Sequence, residues 1–191
     1  MAPVGVLALQ GAFAEHEAML RELGADVRRV TLPQHLDELC GLVIPGGEST
    51  TIGKLLVEWD LLDPIRYFAD SGKPIYGSCA GMIVMARDVG RDQPRLGIMD
   101  IVVERNAFGR QIDSFEVPLR VPALGAEPFP GVFIRAPRIV QTGPDVVVLA
   151  RLDDGTAVAA RQGRHLAVSF HAELTPDLRL HRYFLDLADC V

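Results

Sequence analysis

Three groups of residues in this 191-residue chain have the types and spacing for chemistry. The first is Gly77-Ser78-Cys79-Ala80-Gly81, a thiol with a glycine two positions away on either side. That spacing suits the tip of a sharp strand-to-helix turn, where the backbone is strained and neighbouring chain must pass close by. Such a turn puts the sulfur at a helix N-terminus, which favours thiolate over thiol, and aims the Ala80 N–H at a negative oxygen forming beside it. The chemistry on offer is attack on a carbonyl carbon, with Ala80 as half of an oxyanion hole. The competing reading of Cys79 is a small buried hydrophobe, as free cysteines commonly are. Cys40 and Cys190 lack such a turn and are read that way.

A thiol nucleophile needs a positioned base, and His171-Ala172-Glu173 supplies an imidazole with a carboxylate two residues on. At the end of an extended segment, residues two apart face the same side, so Glu173 can hold one ring nitrogen of His171 and leave the other for Cys79. His16 and His181 fall within helical patterns, and His35 and His165 lie near a short helix and a turn; none has a carboxylate so placed. A lone His-x-Glu is also a common surface pair, so its weight comes from joining the elbow. The third group is Pro45-Gly46-Gly47-Glu48-Ser49-Thr50-Thr51. Its spacing fits neither a P-loop nor a dinucleotide fingerprint. An unhindered Gly47 N–H suits a second oxyanion donor, with Glu48 and Ser49 facing a polar substrate, and Ser49 or Thr50 can also cap the following helix. Gly46-Gly47 has the freedom for a peptide flip, an expectation of activity gated by a partner.

The elements that must hold these groups alternate strand and helix through the first half of the chain. Strands are expected at Val4 to Leu9, Asp26 to Val30, Gly41 to Ile44 and Lys73 to Ser78, and helices at Phe13 to Leu23, Thr50 to Trp59, Asp63 to Asp70 and Ala80 to Val89. The last of these is too apolar for a surface helix and should lie buried under the sheet. From about residue 95 strands dominate, at Ile98 to Val103, Phe115 to Val121, Val132 to Ile134, Val146 to Ala150, Ala157 to Ala160 and Leu166 to Phe170. A helix over Asp177 to Ala188 ends the chain. This pattern predicts an α/β fold with an antiparallel extension in a single domain spanning residues 1–191.

Composition narrows the partners. The chain is 49% hydrophobic and 23% charged, with a formal charge of -6, and its basic residues form no run, which argues against nucleic acid. The apolar N-terminus has no basic leader, and no apolar stretch approaches the roughly 20 residues needed to span a bilayer. A cytoplasmic location and no membrane partner are expected. Three scattered cysteines fit neither a disulfide framework nor a metal site, and no cofactor is expected.

Several longer motifs stand beside the elbow and the His-x-Glu pair: Leu9-Gln10-Gly11-Ala12-Phe13, Arg105-Asn106-Ala107-Phe108-Gly109-Arg110-Gln111, Asp113-Ser114-Phe115-Glu116 and Val132-Phe133-Ile134-Arg135-Ala136-Pro137. With these the chain resembles the triad class of glutamine amidotransferases (class I), and more closely the glutaminase subunits of pyridoxal 5′-phosphate synthases, nearly end to end. The resemblance implies a three-layer sandwich on a central mixed, mostly parallel sheet. It implies hydrolysis of L-glutamine to glutamate and ammonia through a cysteine thioester. The ammonia would pass to a synthase subunit in a hetero-oligomeric complex, to be combined with a pentose phosphate and a triose phosphate. On that likeness Cys79, His171 and Glu173 form the relay, and Gly47, Glu48, Ser49, Arg105, Ile134 and Arg135 meet glutamine. A guanidinium suits an α-carboxylate, so the arginines agree on physical grounds. The alternatives are a glutaminase for histidine or purine synthesis, or a stand-alone cysteine hydrolase. One departure stands out: Ala172 occupies a position where the family usually has proline, and it should face away from the site.

Overall fold

In the computed structural model, which describes residues 2–107 and 114–190, the first half of the chain alternates strands and helices: β1 (Val4–Leu7), α1 (Phe13–Glu22), β2 (Val27–Val30), β3 (Gly41–Ile44), α2 (Ser49–Glu58), α3 (Leu62–Asp70), β4 (Ile75–Ser78) and α4 (Ala80–Met85). Strands then dominate: β5 (Ala86–Asp88), β6 (Met99–Glu104), β7 (Ser114–Leu119), β8 (Phe129–Ile134), β9 (Arg138–Thr142), β10 (Val146–Arg151), β11 (Ala157–Gln162) and β12 (His165–Val168), before α5 (Arg179–Ala188). Phe108 to Gln111 and Asp113 of the sequence motifs lie outside the described residues.

The main sheet runs β2-β1-β3-β4-β12-β11-β9-β6-β5, with β10 paired to β11. Its first five strands are mutually parallel. Antiparallel pairing begins where β12 meets β11 and continues through β9 to β6. β7 and β8 form a separate antiparallel ribbon. Every residue of β1, β3 and β4 is buried, which fits their near-continuous apolar sequences and a sheet covered on both faces. Alternate side chains supply two cores. Leu42 and Ile44 pack with Ile52 of α2, Ile65 of α3 and Met82 of α4. Val4, Val6 and Val43 pack with Leu20 of α1 and with Leu180 and Phe184 of α5. Two helical layers around a mixed sheet make the three-layer α/β arrangement.

Several expectations are corrected. The helix begun at Ala80 stops at Met85, because Ala86 turns extended (φ -64°, ψ 146°) and pairs with Met99 at the sheet edge, while the Leu96 N–H takes the Val84 carbonyl at 2.8 Å. An all-apolar run reads equally as buried helix or buried strand, so the switch leaves no periodic mark. β9 is an additional strand, short and half-buried, that begins directly after Pro137. β1, β7 and β12 each end two residues early, at Leu7, Leu119 and Val168 instead of the expected Leu9, Val121 and Phe170. Cys40 and Cys190 form a disulfide, with their Cα atoms 5.7 Å apart across a separation of 150 residues that no local spacing reveals.

Candidate active site

Cys79 sits between β4 and α4 with φ 49° and ψ -103°, a left-handed backbone that costs a non-glycine residue about 1–3 kcal/mol. The surroundings hold it there. Its N–H donates to the Val168 carbonyl of β12 at 2.8 Å, and all six residues of α4 are buried. The flanking glycines have steric reasons: a Cβ on Gly81 would stand 2.1 Å from the Ile44 carbonyl oxygen, and one on Gly77 would stand 2.6 Å from the Gly81 carbonyl carbon. Neither backbone group can yield, so the elbow requires glycine at both places. Ala80 opens α4, which leaves its N–H without an intrahelical partner beside the sulfur.

His171 reaches the same cleft from the chain after β12. Its N–H donates to the Val132 carbonyl of β8 at 2.8 Å, so the two-stranded ribbon anchors it. Glu173 holds the ring by a different geometry from the expected one. The chain has left the strand at His171 and curls into a single helical turn over Ala172–Leu174, which brings Glu173 Oε1 to 2.6 Å from His171 Nδ1. Burial opposes charge on His171, but hydrogen bonding with Cys79 and Glu173 outweighs it and raises the imidazole to about 10. At neutral pH the ring is therefore an imidazolium held between a sulfur and a carboxylate. Ala172 is fully buried in the core and does not line the cleft.

The loop after β3 forms the opposite wall. A Cβ on Gly46 would lie 2.5 Å from His171 Cε1, so only glycine lets the loop close on the imidazole. The Gly46 carbonyl accepts the Ala12 N–H at 2.9 Å, and a planar trans peptide turns the Gly47 N–H to the other side. Glu48, rather than Ser49 or Thr50, caps α2: its carboxylate accepts the Thr50 N–H at 3.0 Å and the Thr51 N–H at 2.7 Å. Burial works against its charge, yet the bonds from Thr51 and Thr50 win and hold the carboxyl at about 2. Gln10 accepts the Glu48 N–H at 2.8 Å. Arg105 braces the loop from beyond, contacting Glu48 at 3.2 Å, Thr50 at 3.1 Å and Gln93 at 2.9 Å.

These walls enclose a cleft of about 400 Å³ lined by Cys79, His171, Gly47, Glu48, Ser49, Arg105, Ile134 and Arg135 together with Gln10, Gly11, Ala12, Gly46, Ile83 and Asn106. Every glutamine-contact residue expected from the sequence is there; Glu173 stands behind His171 and Ala80 behind the sulfur. Asn106 and Arg135 join Cys79 in having positive φ, at 50° and 43°. The loops carrying them are stitched by the Ala107 N–H to the Ala136 carbonyl at 3.1 Å. The cleft lies at the C-terminal ends of β1, β3, β4 and β12, where loops of a parallel sheet converge.

The model of the SNO glutamine amidotransferase family matches residues 6–189. The chain belongs to that family. Among its relatives, the pyridoxal 5′-phosphate synthase subunit PdxT of Pelotomaculum thermopropionicum is 59% identical over 184 residues, covering 96% of this chain and 93% of that protein. The PdxT subunit of Herpetosiphon aurantiacus is 59% identical over 188 residues, covering 96% and 99%. A solved structure of a glutamine amidotransferase superposes with a TM-score of 0.92 at 51% identity, over 97% of this chain and 98% of that one. PurLQS from Thermotoga maritima, at 17% identity and a TM-score of 0.75 over 97% and 99% of the two chains, shares the fold.

Two features of this amidotransferase site have roles that the sequence does not reveal. Gln10 was legible only as part of a motif, since a side-chain amide that positions a distant loop has no spacing signature. His16 and His181, set aside as helical histidines, meet in the core behind Glu173, with His16 Nε2 at 3.4 Å from Glu173 Oε2 and His16 Nδ1 at 2.8 Å from His181 Nε2. Their only trace is that each falls on the apolar side of its helix.

Proposed function

We propose that this chain hydrolyses L-glutamine to glutamate and ammonia, and that it supplies the ammonia to a pyridoxal 5′-phosphate synthase subunit docked beside it, in the cytoplasm. The observation that carries the reading is Cys79, held at positive φ in one cleft with the His171 imidazole that Glu173 grips at 2.6 Å. The near full-length likeness to PdxT subunits at 59% identity supports the pathway.

Glutamine enters with its side-chain amide toward Cys79. The exposed Arg135 guanidinium meets the α-carboxylate, and the charge of Glu48 at the rim complements the α-ammonium. Gly47, Ser49 and Ile134 shape the walls, and Arg105 serves mainly by keeping Glu48 in place. The Cys79 thiolate forms a bond to the amide carbon, and the oxygen takes the negative charge under the N–H groups of Gly47 and Ala80. His171 gives its proton to the departing nitrogen, the C–N bond breaks, and ammonia leaves behind a thioester. Neutral His171 then takes a proton from water, whose hydroxide attacks the thioester. Collapse breaks the C–S bond, releases glutamate and restores the thiolate with imidazolium.

The test is ammonia release from glutamine by the complete complex. Rapid release that Cys79→Ser lowers by about 10³-fold or more is expected. Release unaffected by that substitution would remove Cys79 from the chemistry.

A further inference from the structure

Behind Glu173 lies a group of wholly buried polar side chains that the hydrolytic steps do not use: His16 of α1, Tyr76 and Ser78 of β4, and His181 of α5. Glu173 Oε1 is taken by His171, but Oε2 has no hydrogen-bond partner among the described residues. A buried carboxylate oxygen without a donor is costly and calls for a physical reason. His16 Nε2 stands 3.4 Å from it and 3.1 Å from Ser78 Oγ. The ring is aligned by its other nitrogen, with Nδ1 2.8 Å from His181 Nε2, and both imidazoles meet the Tyr76 ring edge-on.

Only one proton fits between two ring nitrogens 2.8 Å apart. If His16 Nδ1 carried it, His16 Nε2 would turn a lone pair toward the Glu173 carboxylate, and His181 would strand an N–H at Nδ1, a buried atom with no partner. With the proton on His181 Nε2, His16 accepts at Nδ1 and keeps its own proton on Nε2, facing Glu173 and Ser78. His181 Nδ1 is then a bare lone pair, the milder orphan. Burial, aided by the neighbouring imidazoles, pushes His16 well below its ordinary range, and burial lowers His181 to about 4, so each ring holds one proton. A metal site is not the alternative, because no group of three His, Cys, Asp or Glu side chains suited to hold a metal occurs among the described residues.

We infer that His16 is a positioning residue: its Nε2–H, bonded to Ser78 Oγ at 3.1 Å, sets its partial positive charge 3.4 Å from Oε2 of Glu173 and keeps the carboxylate turned with Oε1 on His171, while His181 Nε2–H fixes the His16 tautomer from behind. The inference rests on the assignment of Cys79, His171 and Glu173 proposed above. It gives α1 a part in the site, since the helix whose leading loop walls the cleft at Gln10, Gly11 and Ala12 also fixes the far end of the relay.

Two measurements test it. Isotope-labelled histidine NMR of the wild-type chain reads the ring protons directly: His16 and His181 should each be neutral and protonated at Nε2. A proton on His16 Nδ1, or a doubly protonated His16 at neutral pH, overturns the inference. The second measurement is glutamine kinetics in the complete complex. His16→Leu should lower kcat about tenfold to a hundredfold, the scale of a small misplacement of catalytic groups, with KM changed by less than about twofold. His16→Gln, whose amide N–H can reach the place of Nε2, should recover most of that loss. Equal losses in the two variants when both melt like wild type, or a raised KM at unchanged kcat, overturn the inference. A wild-type complex that releases no ammonia refutes the hydrolase assignment instead, and the NMR result still decides the tautomer.

Discussion

Cys40 and Cys79 lie at opposite ends of two neighbouring parallel strands, one just before β3 and the other just after β4. Burial does not separate them, nor does it set apart Cys190: relative exposures are 5% for Cys40, 4% for Cys190 and 7% for Cys79. Their settings do. Cys40 is closed off by the C-terminal segment and joined to Cys190, among apolar side chains of the α1 and α5 layer. Cys79 stands on a strained turn where four loops converge, next to an imidazole that it helps to keep charged. A cysteine's chemistry here follows from the end of the strand it occupies and from the backbone angle it is forced to adopt, not from how deeply it is buried.

The sharpest way to break this contrast is to relax the elbow without touching the thiol. Gly81→Ala sets a methyl 2.1 Å from the Ile44 carbonyl oxygen, so α4 must shift. Ammonia release should fall about a hundredfold and stability by about 2 kcal/mol, the scale of an overpacked core; kinetics and thermal melting check both. Full activity in that variant would show that backbone geometry is not what distinguishes Cys79.

A pH series probes the imidazole. His171 is raised to about 10, so its charge contributes stability that is fully present below its ordinary value near 6.5 and is lost as pH rises through about 10. Ammonia release should likewise hold above neutrality and decline as pH passes about 10. Glu173→Gln, by removing one of the interactions that raise His171, should move the decline to lower pH. A decline unmoved in Glu173→Gln would mean that the carboxylate does not govern the ring.

The contrast predicts the reverse for the other pair. Replacing Cys40 and Cys190 together by alanine should cost about 2–4 kcal/mol, the usual worth of a cross-link, while ammonia release stays within about twofold. Reductant should lower the melting temperature of the wild-type chain similarly, because a reducing compartment opens such a bond. Ala172→Pro should have the smallest effect. His171, at φ -97° and ψ 86°, is already outside the helical region that proline bars to the residue before it, so a gain of about 0.5 kcal/mol and activity within about twofold are expected. A large change in turnover would bring position 172 into the site.

Much of the site was legible because local rules specify it. Gly77-x-Cys79-x-Gly81 suits a tight turn, and a loop with Gly46-Gly47 before a helix start suits a wall that approaches a ligand closely. The cap was expected at Ser49 or Thr50, one or two residues late, because Glu48 has a longer reach, and only its bonds to Thr50 and Thr51 reveal that choice. The end of α4 was missed because a uniformly apolar segment takes its state from its neighbours, and β9 because its half-buried sequence has no clean apolar alternation.

The order of residues alone pointed to Cys79 as the candidate nucleophile and to His171 and Glu173 as its proposed partners, and it determined the strand and helix alternation and, through its motifs, the family. Only the tertiary structure decided that Cys40 meets Cys190, that Glu173 reaches His171 through a helical turn, and that His16 and His181 stand behind it. The reason is physical: local spacing controls backbone conformation over a few residues, whereas contacts between residues 150 or 165 positions apart exist only once the sheet and its two helical layers have closed.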